Sequence, residues 1–325
     1  MNRITPSPVI SVIIPCRHDA SALEACLQSV AAQDMEQAFD IIVVDSNGEN
    51  SGKKARQESE SIRLLVNQYS SARLIKSREP LFAGAARNLG ANATEAPGIA
   101  FIDADCTADS HWLNSAVAAL QTGADGAGGP VGDIAPYDFT AVADNFLQFY
   151  DFPARRPAGP LAYMPSCNLA VKRAVFMAMG GFPDVPIGED VLLTQQIAAQ
   201  AENALRFEPL MMIRHRGRRT LSTFWAHHRR FGQARGEHAL LTHPIEQRLS
   251  SSYWYLPVLV LKRGVYMSMR TARWSPLLFL RLLVLSPLVL CGTVSWALGV
   301  VEGRRAALTR PTEILSDSET IKVKK

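Results

Sequence analysis

No C-x-x-C pair occurs in this 325-residue chain, and its five cysteines, Cys16, Cys26, Cys106, Cys167 and Cys291, are scattered and odd in number. That excludes a zinc ribbon or a disulfide framework as the organising device, and a reducing compartment fits. No G-x-G-x-x-G follows the first apolar run and no G-x-x-x-x-G-K-[ST] exists, so neither a dinucleotide fold nor a P-loop is supported. A bound phosphate would need another holder. Dense Lys/Arg tracts with interleaved aromatics are also missing, which argues against nucleic acid as a partner. The opening Met1-Asn2-Arg3-Ile4-Thr5-Pro6 has no signal-peptide anatomy, so the first part of the chain is expected in the cytosol. A net charge of +4 is compatible with membrane lipid or phosphorylated substrates without requiring either.

With 47% hydrophobic residues the chain can bury a large core. Val9 to Ile14 is a β-branched run stopped by Pro15, and Ser21-Ala22-Leu23-Glu24 has the form of a capping box opening a helix. Asp40 to Val44 predicts a second buried strand, ending on Asp45 in a turn-rich sequence. A polar helix over about Ser51 to Gln68, a strand over Arg73 to Lys76 and a small-residue helix from Phe82 to Gly90 follow. Continuous hydrophobic strands alternating with helices predict an α/β architecture with a parallel sheet covered on both faces over roughly the first 120 residues.

The apolar run Ile99-Ala100-Phe101-Ile102 empties into Asp103-Ala104-Asp105. Two carboxylates at i and i+2 past the end of a strand repel each other, and they persist if solvated as turn residues or if a hard cation such as Mg2+ or Mn2+ lies beside them. The carboxyl edge of an α/β sheet is where ligands bind, which favours the second case. Further on, Pro153 to Pro160 is a Pro/Arg loop suited to acceptor specificity, and Met164 to Lys172 is a plausible strand. Gly188-Glu189-Asp190 precedes a helical pattern, so both carboxylates fall in a first helical turn, where the helix dipole alone would favour them.

Taken in order, Val9 to Pro15, Asp45, Ala86-Arg87-Asn88, Asp103-Ala104-Asp105, Asn168-Leu169-Ala170-Val171 with Gly180-Gly181-Phe182, and Gly188-Glu189-Asp190 together resemble the family 2 glycosyltransferases over roughly Val9 to Gly236. The resemblance implies a GT-A fold, a Rossmann-like, mostly parallel sheet flanked by helices. It implies metal-dependent inverting transfer of a sugar from a nucleotide-sugar, usually a UDP-sugar, to an acceptor hydroxyl. Asp45 would contact the base, Asp103 would lie near the ribose and the metal, and Asp105 would be the metal ligand at the diphosphate. Pro15 and Arg87, inside matched motifs, join the donor-contacting positions. Asp190 would be the catalytic base, with Glu189 its positioning neighbour, and His215 matches a position where relatives place a metal or diphosphate contact. Processive relatives carry Q-x-x-R-W, which this chain lacks, so one sugar per encounter is expected. A sugar nucleotidyltransferase is the alternative enzyme, although Cys16-Arg17-His18-Asp19 lacks the glycine-rich loop such enzymes place there; a non-catalytic scaffold is the other alternative.

Leu221 to Gly236 mixes aromatics and cations at helical spacing and is expected on a membrane surface. Leu282 to Val301 is uncharged and long enough to cross a bilayer, with Pro287 expected to kink it; Tyr253 to Val265 is apolar but broken by Lys262 and Arg263. The expected division is a catalytic domain over 1–236, amphipathic and transmembrane or re-entrant helices over 237–310, and a polar tail over 311–325. Those helices would tether the enzyme to the cytoplasmic face of the inner membrane, with a lipid-linked or glycan acceptor.

Overall fold

The structure is a computed structural model that describes residues 7–49, 52–237 and 252–309. The tail over 311–325 lies outside the described residues. The rest divides into two compact units. One runs to Leu221 and takes in Met267–Val289; the other draws on Ser222–Tyr266 and the chain from Leu290 onward.

In the first unit the β-branched run forms β1 (Ile10–Cys16), followed by α1 (Ala20–Ala31), β2 (Phe39–Asp45), α2 (Lys53–Val66), β3 (Ala72–Lys76), α3 (Ala83–Asn92) and β4 (Gly98–Ile102). These four strands pair in parallel in the order β3-β2-β1-β4. Every residue of β4 is buried, and β1 and β2 are buried over Ile10–Ile14 and Ile41–Val44, as expected of a sheet covered on both faces. Two local expectations are corrected. The strand does not stop at Pro15 but runs through it to Cys16; β4 pairs with β1 only as far as Ile13, so the missing N–H falls beyond the ladder on that side. The cap of α1 is Asp19, whose Oδ1 accepts from Ala22 N at 3.0 Å, and Ser21 lies inside the helix donating to the same oxygen.

After β4 come β5 (Cys106–Ala108), α4 (Trp112–Gln121), β6 (Gly126–Gly128), β7 (Val131–Asp133), α5 (Phe139–Phe149), β8 (Gly159–Pro160), β9 (Asn168–Lys172), α6 (Arg173–Ala178), α7 (Glu189–Ala198), β10 (Leu205–Phe207) and β11 (Ile213–His215). β9 lies antiparallel between β4 and β6, so the eight-stranded sheet is mixed, in the order β3-β2-β1-β4-β9-β6-β10-β8. β11 is the middle of a second, three-stranded sheet, between β5 and β7. That central position fixes His215 beside Cys106 and Asp133.

The C-terminal part holds α8 (Leu221–Glu237), α9 (Leu256–Trp274), α10 (Pro276–Val284) and α11 (Ser286–Thr309). The apolar run is not one kinked span. α10 ends at Val284, and Pro287 sits in the first turn of α11, where a missing N–H costs no intrahelical bond. α11 is long and apolar enough to cross a bilayer by length and composition. α9 runs through Lys262 and Arg263, and the Arg263 guanidinium lies 4.2 Å from the Trp296 ring centroid.

Within the second unit, α8 and α11 meet backbone to backbone. A Cβ on Gly232 would strike Trp296 O, one on Gly236 Val300 O, one on Gly299 Arg229 O and one on Gly303 Gln233 O. Glycine at i and i+4 on both helices clears a seam that any side chain would fill. The α8 face expected against lipid therefore packs on protein at Gly232 and Gly236.

Candidate active site

β1, β2 and β4 end side by side, so their last residues open onto one edge of the sheet. A cleft of about 300 Å3 lies there, lined by Pro15, Arg17, Asp19, Ser46, Arg87, Asp103 and Asp105 among others. Asp45 ends β2 beside it, 2% exposed, and its Oδ1 accepts from Asn47 N at 3.1 Å and Asn47 Nδ2 at 2.8 Å. Both donors come from the turn after the strand, so the carboxylate is held rigidly.

Arg87 is the centre of the acidic arrangement. It projects from the small-residue helix α3, buried, with Nη2 on Asp103 Oδ1 at 2.5 Å and Nη1 on Glu189 Oε1 at 2.9 Å. Burial by itself would weaken the guanidinium charge, but Asp103, Glu189 and Asp190 outweigh it and hold the group firmly protonated. Glu189 responds the other way. Burial and the neighbouring Asp190 push its carboxyl up to about 7 against the attraction of Arg87. Gly84 makes the approach possible, because a Cβ there would lie 2.8 Å from Glu189 Cγ. The absence of a side chain at this point of the small-residue helix is what admits the carboxylate.

Asp190 takes a different set of donors. Its Oδ2 accepts from Ser166 N at 3.0 Å and Ser166 Oγ at 3.4 Å, and its Oδ1 from Val191 N at 2.8 Å. Gly188, with φ of 91°, turns the chain so that both acids open α7.

Asp105 turns to the second sheet. Its Oδ2 lies 3.5 Å from His215 Nε2, and a ligand atom from each of Asp105, Cys106 and His215 falls within 4.8 Å of the others. Asn145, on α5, fixes the histidine. Its Nδ2 donates to Asp133 Oδ1 at 2.9 Å and to His215 O at 3.0 Å, both acceptors, so its Oδ1 is the atom facing His215 Nδ1 at 2.7 Å. His215 Nδ1 therefore carries a proton. In the neutral imidazole this leaves the Nε2 lone pair on the side of Asp105, where the two side chains can share a cation.

A divalent ion fits these donors. The carboxylate oxygen suits Mg2+ or Mn2+, whereas the imidazole nitrogen is a softer donor that favours a transition ion such as Mn2+ over Mg2+. The Cys106 thiol is pushed well up by burial and stays protonated, so it is a poor ligand. Asp103 is outside this group of three, held instead by Arg87.

Sequence pattern thus picked out residues that the fold gathers along one edge: Pro15, Arg87, Asp103 and Asp105 around the cleft, Glu189 and Asp190 through Arg87, His215 through Asp105. It missed Asn145, Asp133 and Ser166. The signal for Asn145 was present in Ala141-Val142-Ala143-Asp144-Asn145-Phe146-Leu147, where two polar residues interrupt an apolar helical run and are both buried.

These features define a GT-A-type domain, an α/β sheet with an acidic cleft at the carboxyl ends of its first strands. The model of glycosyl transferase family 2 matches residues 11–180, and the chain belongs to that family. Glycosyltransferase AglE of Haloferax volcanii is 30% identical over 203 residues, 62% of this chain and 64% of that protein. The pre-mycofactocin glycosyltransferase of Mycobacterium tuberculosis is 26% identical over 219 residues, 63% of this chain and 42% of that protein. The chain therefore spans less than two thirds of either relative. Among solved structures, the mannosyltransferase PcManGT of Pyrobaculum calidifontis, in complex with GDP-Man and Mn2+, has the same fold, with a TM-score of 0.58 at 18% identity over 93% of this chain and 90% of that one. GalNAc-T7 with UDP, GalNAc and Mn2+ superposes with a TM-score of 0.50 at 15% identity over 70% of this chain and 48% of that one.

Proposed function

We propose that the protein transfers one sugar per encounter from a nucleotide-sugar, with a UDP-sugar the first choice, to an acceptor hydroxyl, with inversion and with Mg2+ or Mn2+ bound. The observation that carries this reading is the Arg87 junction, which holds Asp103 of the cleft and Glu189 of the α7 N-terminus in one ion-paired unit. In this reading Asp45 meets the base, and Pro15, Arg87 and Asp103 border the donor. Asp105 and His215 would hold the metal, with Asn145 keeping Nδ1 of His215 engaged so that Nε2 faces Asp105. Bound there, it would supply Lewis-acid stabilisation of the charge that grows on the leaving diphosphate. Asp190 takes the acceptor proton as the hydroxyl attacks, its carboxylate aimed by the Ser166 N–H. Glu189 positions rather than reacts, since both it and Asp103 are committed to Arg87.

The acceptor is taken to be lipid-linked or an envelope glycan, and the protein to lie at the cytoplasmic face of the inner membrane through its C-terminal helices. Support for this is the one helix, α11, that could cross a bilayer among the described residues, and a row of exposed Leu277, Leu280 and Val284 on α10.

The test is a panel of UDP-, GDP- and dTDP-sugars assayed for protection against thermal unfolding with and without Mn2+ or Mg2+. Metal-dependent protection by a nucleotide-sugar is expected, and it should vanish in Asp105→Ala. Protection by none of the panel would remove the donor-site reading.

A further inference from the structure

Away from the acidic cleft, but within the same unit, three guanidinium groups crowd around one indole. Arg156, in the loop after α5, lies 5.2 Å from the Trp274 ring centroid and 5.0 Å from that of Phe207. Arg273 is 5.2 Å and Arg270 5.9 Å from the same Trp274 ring. Among the described residues the carboxylate beside them is Asp151, 2% exposed; its Oδ1 pairs with Arg270 Nε at 2.5 Å, which answers one of the three charges, and its Oδ2 accepts from Tyr163 Oη at 2.8 Å. Arg156 is left with neutral acceptors, Asp151 O at 2.8 Å and Pro160 O at 3.4 Å. Arg273 is solvent-exposed and, among the described residues, stacks on the indole. Two of the three guanidinium groups thus lie close together without a carboxylate of their own among the described residues; like charges repel, and a phosphate is an anion whose charge-assisted bonds to arginine relieve that repulsion. Burial and Arg270 together weaken the Arg156 charge, in keeping with that surplus.

Where the cluster sits limits what the anion can be. β10 runs parallel to β6, and both run antiparallel to β9, which is itself antiparallel to β4; Phe207 therefore ends its strand on the same edge of the sheet as Asp103. The segment carrying Tyr163, which holds Asp151, reaches Ser166, which holds Asp190. On its other side Trp274 leads directly into α10, whose Leu277, Leu280 and Val284 are exposed on one face. Cations at the root of an exposed apolar helix face suit a headgroup above and hydrocarbon beside it.

We propose that Arg156, Arg270, Arg273 and Trp274 form a receptor for a phosphate carried by a lipid, next to the acceptor side of the site. The placement beside the acceptor rests on Asp190 being the base; the phosphate receptor itself does not.

The test uses the full chain in neutral detergent, with farnesyl phosphate and farnesol as paired probes. Sedimentation with phosphatidylcholine vesicles, with and without phosphatidylglycerol, forms a second arm. Arg156→Gln and the exposed Arg273→Gln should each weaken farnesyl phosphate binding by about tenfold while leaving farnesol unchanged, the scale of one lost charge-assisted hydrogen bond. Arg156→Lys should recover part of it. Loss confined to the isoprenoid phosphate identifies an acceptor phosphate, and loss confined to phosphatidylglycerol vesicles identifies a bilayer headgroup; either supports a lipid-borne phosphate. Wild-type binding of both probes by both variants overturns the proposal. Mn2+-dependent protection by nucleotide-sugars, measured on the same variants, should stay intact. Its absence from the wild type as well would instead sink the donor-site reading and leave the phosphate result standing.

Discussion

Asn145 Oδ1 lies 2.7 Å from His215 Nδ1, and the amide cannot turn round, because its nitrogen is spent on Asp133 and on the His215 carbonyl. Groups that orient a metal-binding imidazole typically carry about 10–100-fold in metal affinity. Asn145→Leu should weaken Mn2+ binding by that order with little change in nucleotide binding without metal. Isothermal titration with Mn2+ decides it, and unchanged affinity would separate His215 from the ion.

Arg87 is buried between two carboxylates. Arg87→Met would leave both in place with no counter-charge, and breaking a buried pair in this way costs about 3–5 kcal/mol. Denaturant unfolding of the two proteins at neutral pH measures the difference. A change below about 1 kcal/mol would mean that the pair is solvated in solution.

Glu189 gives the stability a pH signature. Its carboxyl is raised from 4.5 to about 7 by burial and Asp190, so between those values the folded state holds a proton that the unfolded chain has released. The stabilisation from this group is complete below about 4.5, is lost as pH rises toward 7 and changes little beyond. Glu189→Gln keeps the neutral form throughout, so the wild type should lose thermal stability relative to it across that window. Parallel melting curves from pH 4.5 to 7 would show the gap opening; a constant gap refutes the assignment.

Asp190→Asn should abolish sugar transfer while donor protection against unfolding persists, because Asp190 is aimed by Ser166 and lies outside the group formed by Asp105, Cys106 and His215. General-base removal typically costs about 10²–10⁴-fold in rate. Near-normal turnover would assign the base elsewhere.

Gly303 of α11 faces Gln233 O so closely that even a methyl group must displace the backbone. Gly303→Ala should destabilise the α8–α11 pair by about 1–3 kcal/mol, the usual range for overpacking. Protease accessibility within Ser222–Glu237, compared between wild type and variant in detergent, reports it directly. Equal protection would show that the helices separate at no cost.

The local chemistry of this chain was legible in its residues taken alone. Short apolar runs rich in Ile, Val and Phe and bounded by turn residues read as buried strands, so β1, β2 and β4 follow from the pattern. The acids at their ends, Asp45 and Asp103, follow with them. Short, polar or glycine-bearing elements carry no such period. β11 has three residues, and nothing in Ile213-Arg214-His215 says that it will be the middle of a sheet. The partners of each site residue were likewise invisible, because Arg87 and Glu189 are 102 positions apart and His215 and Asn145 are 70 apart. Local propensity acts over a few residues, whereas ion pairs and hydrogen bonds act over a few ångströms. Which acid meets Arg87, which amide sets the histidine and which arginines share Trp274 were decided only when the chain closed on itself.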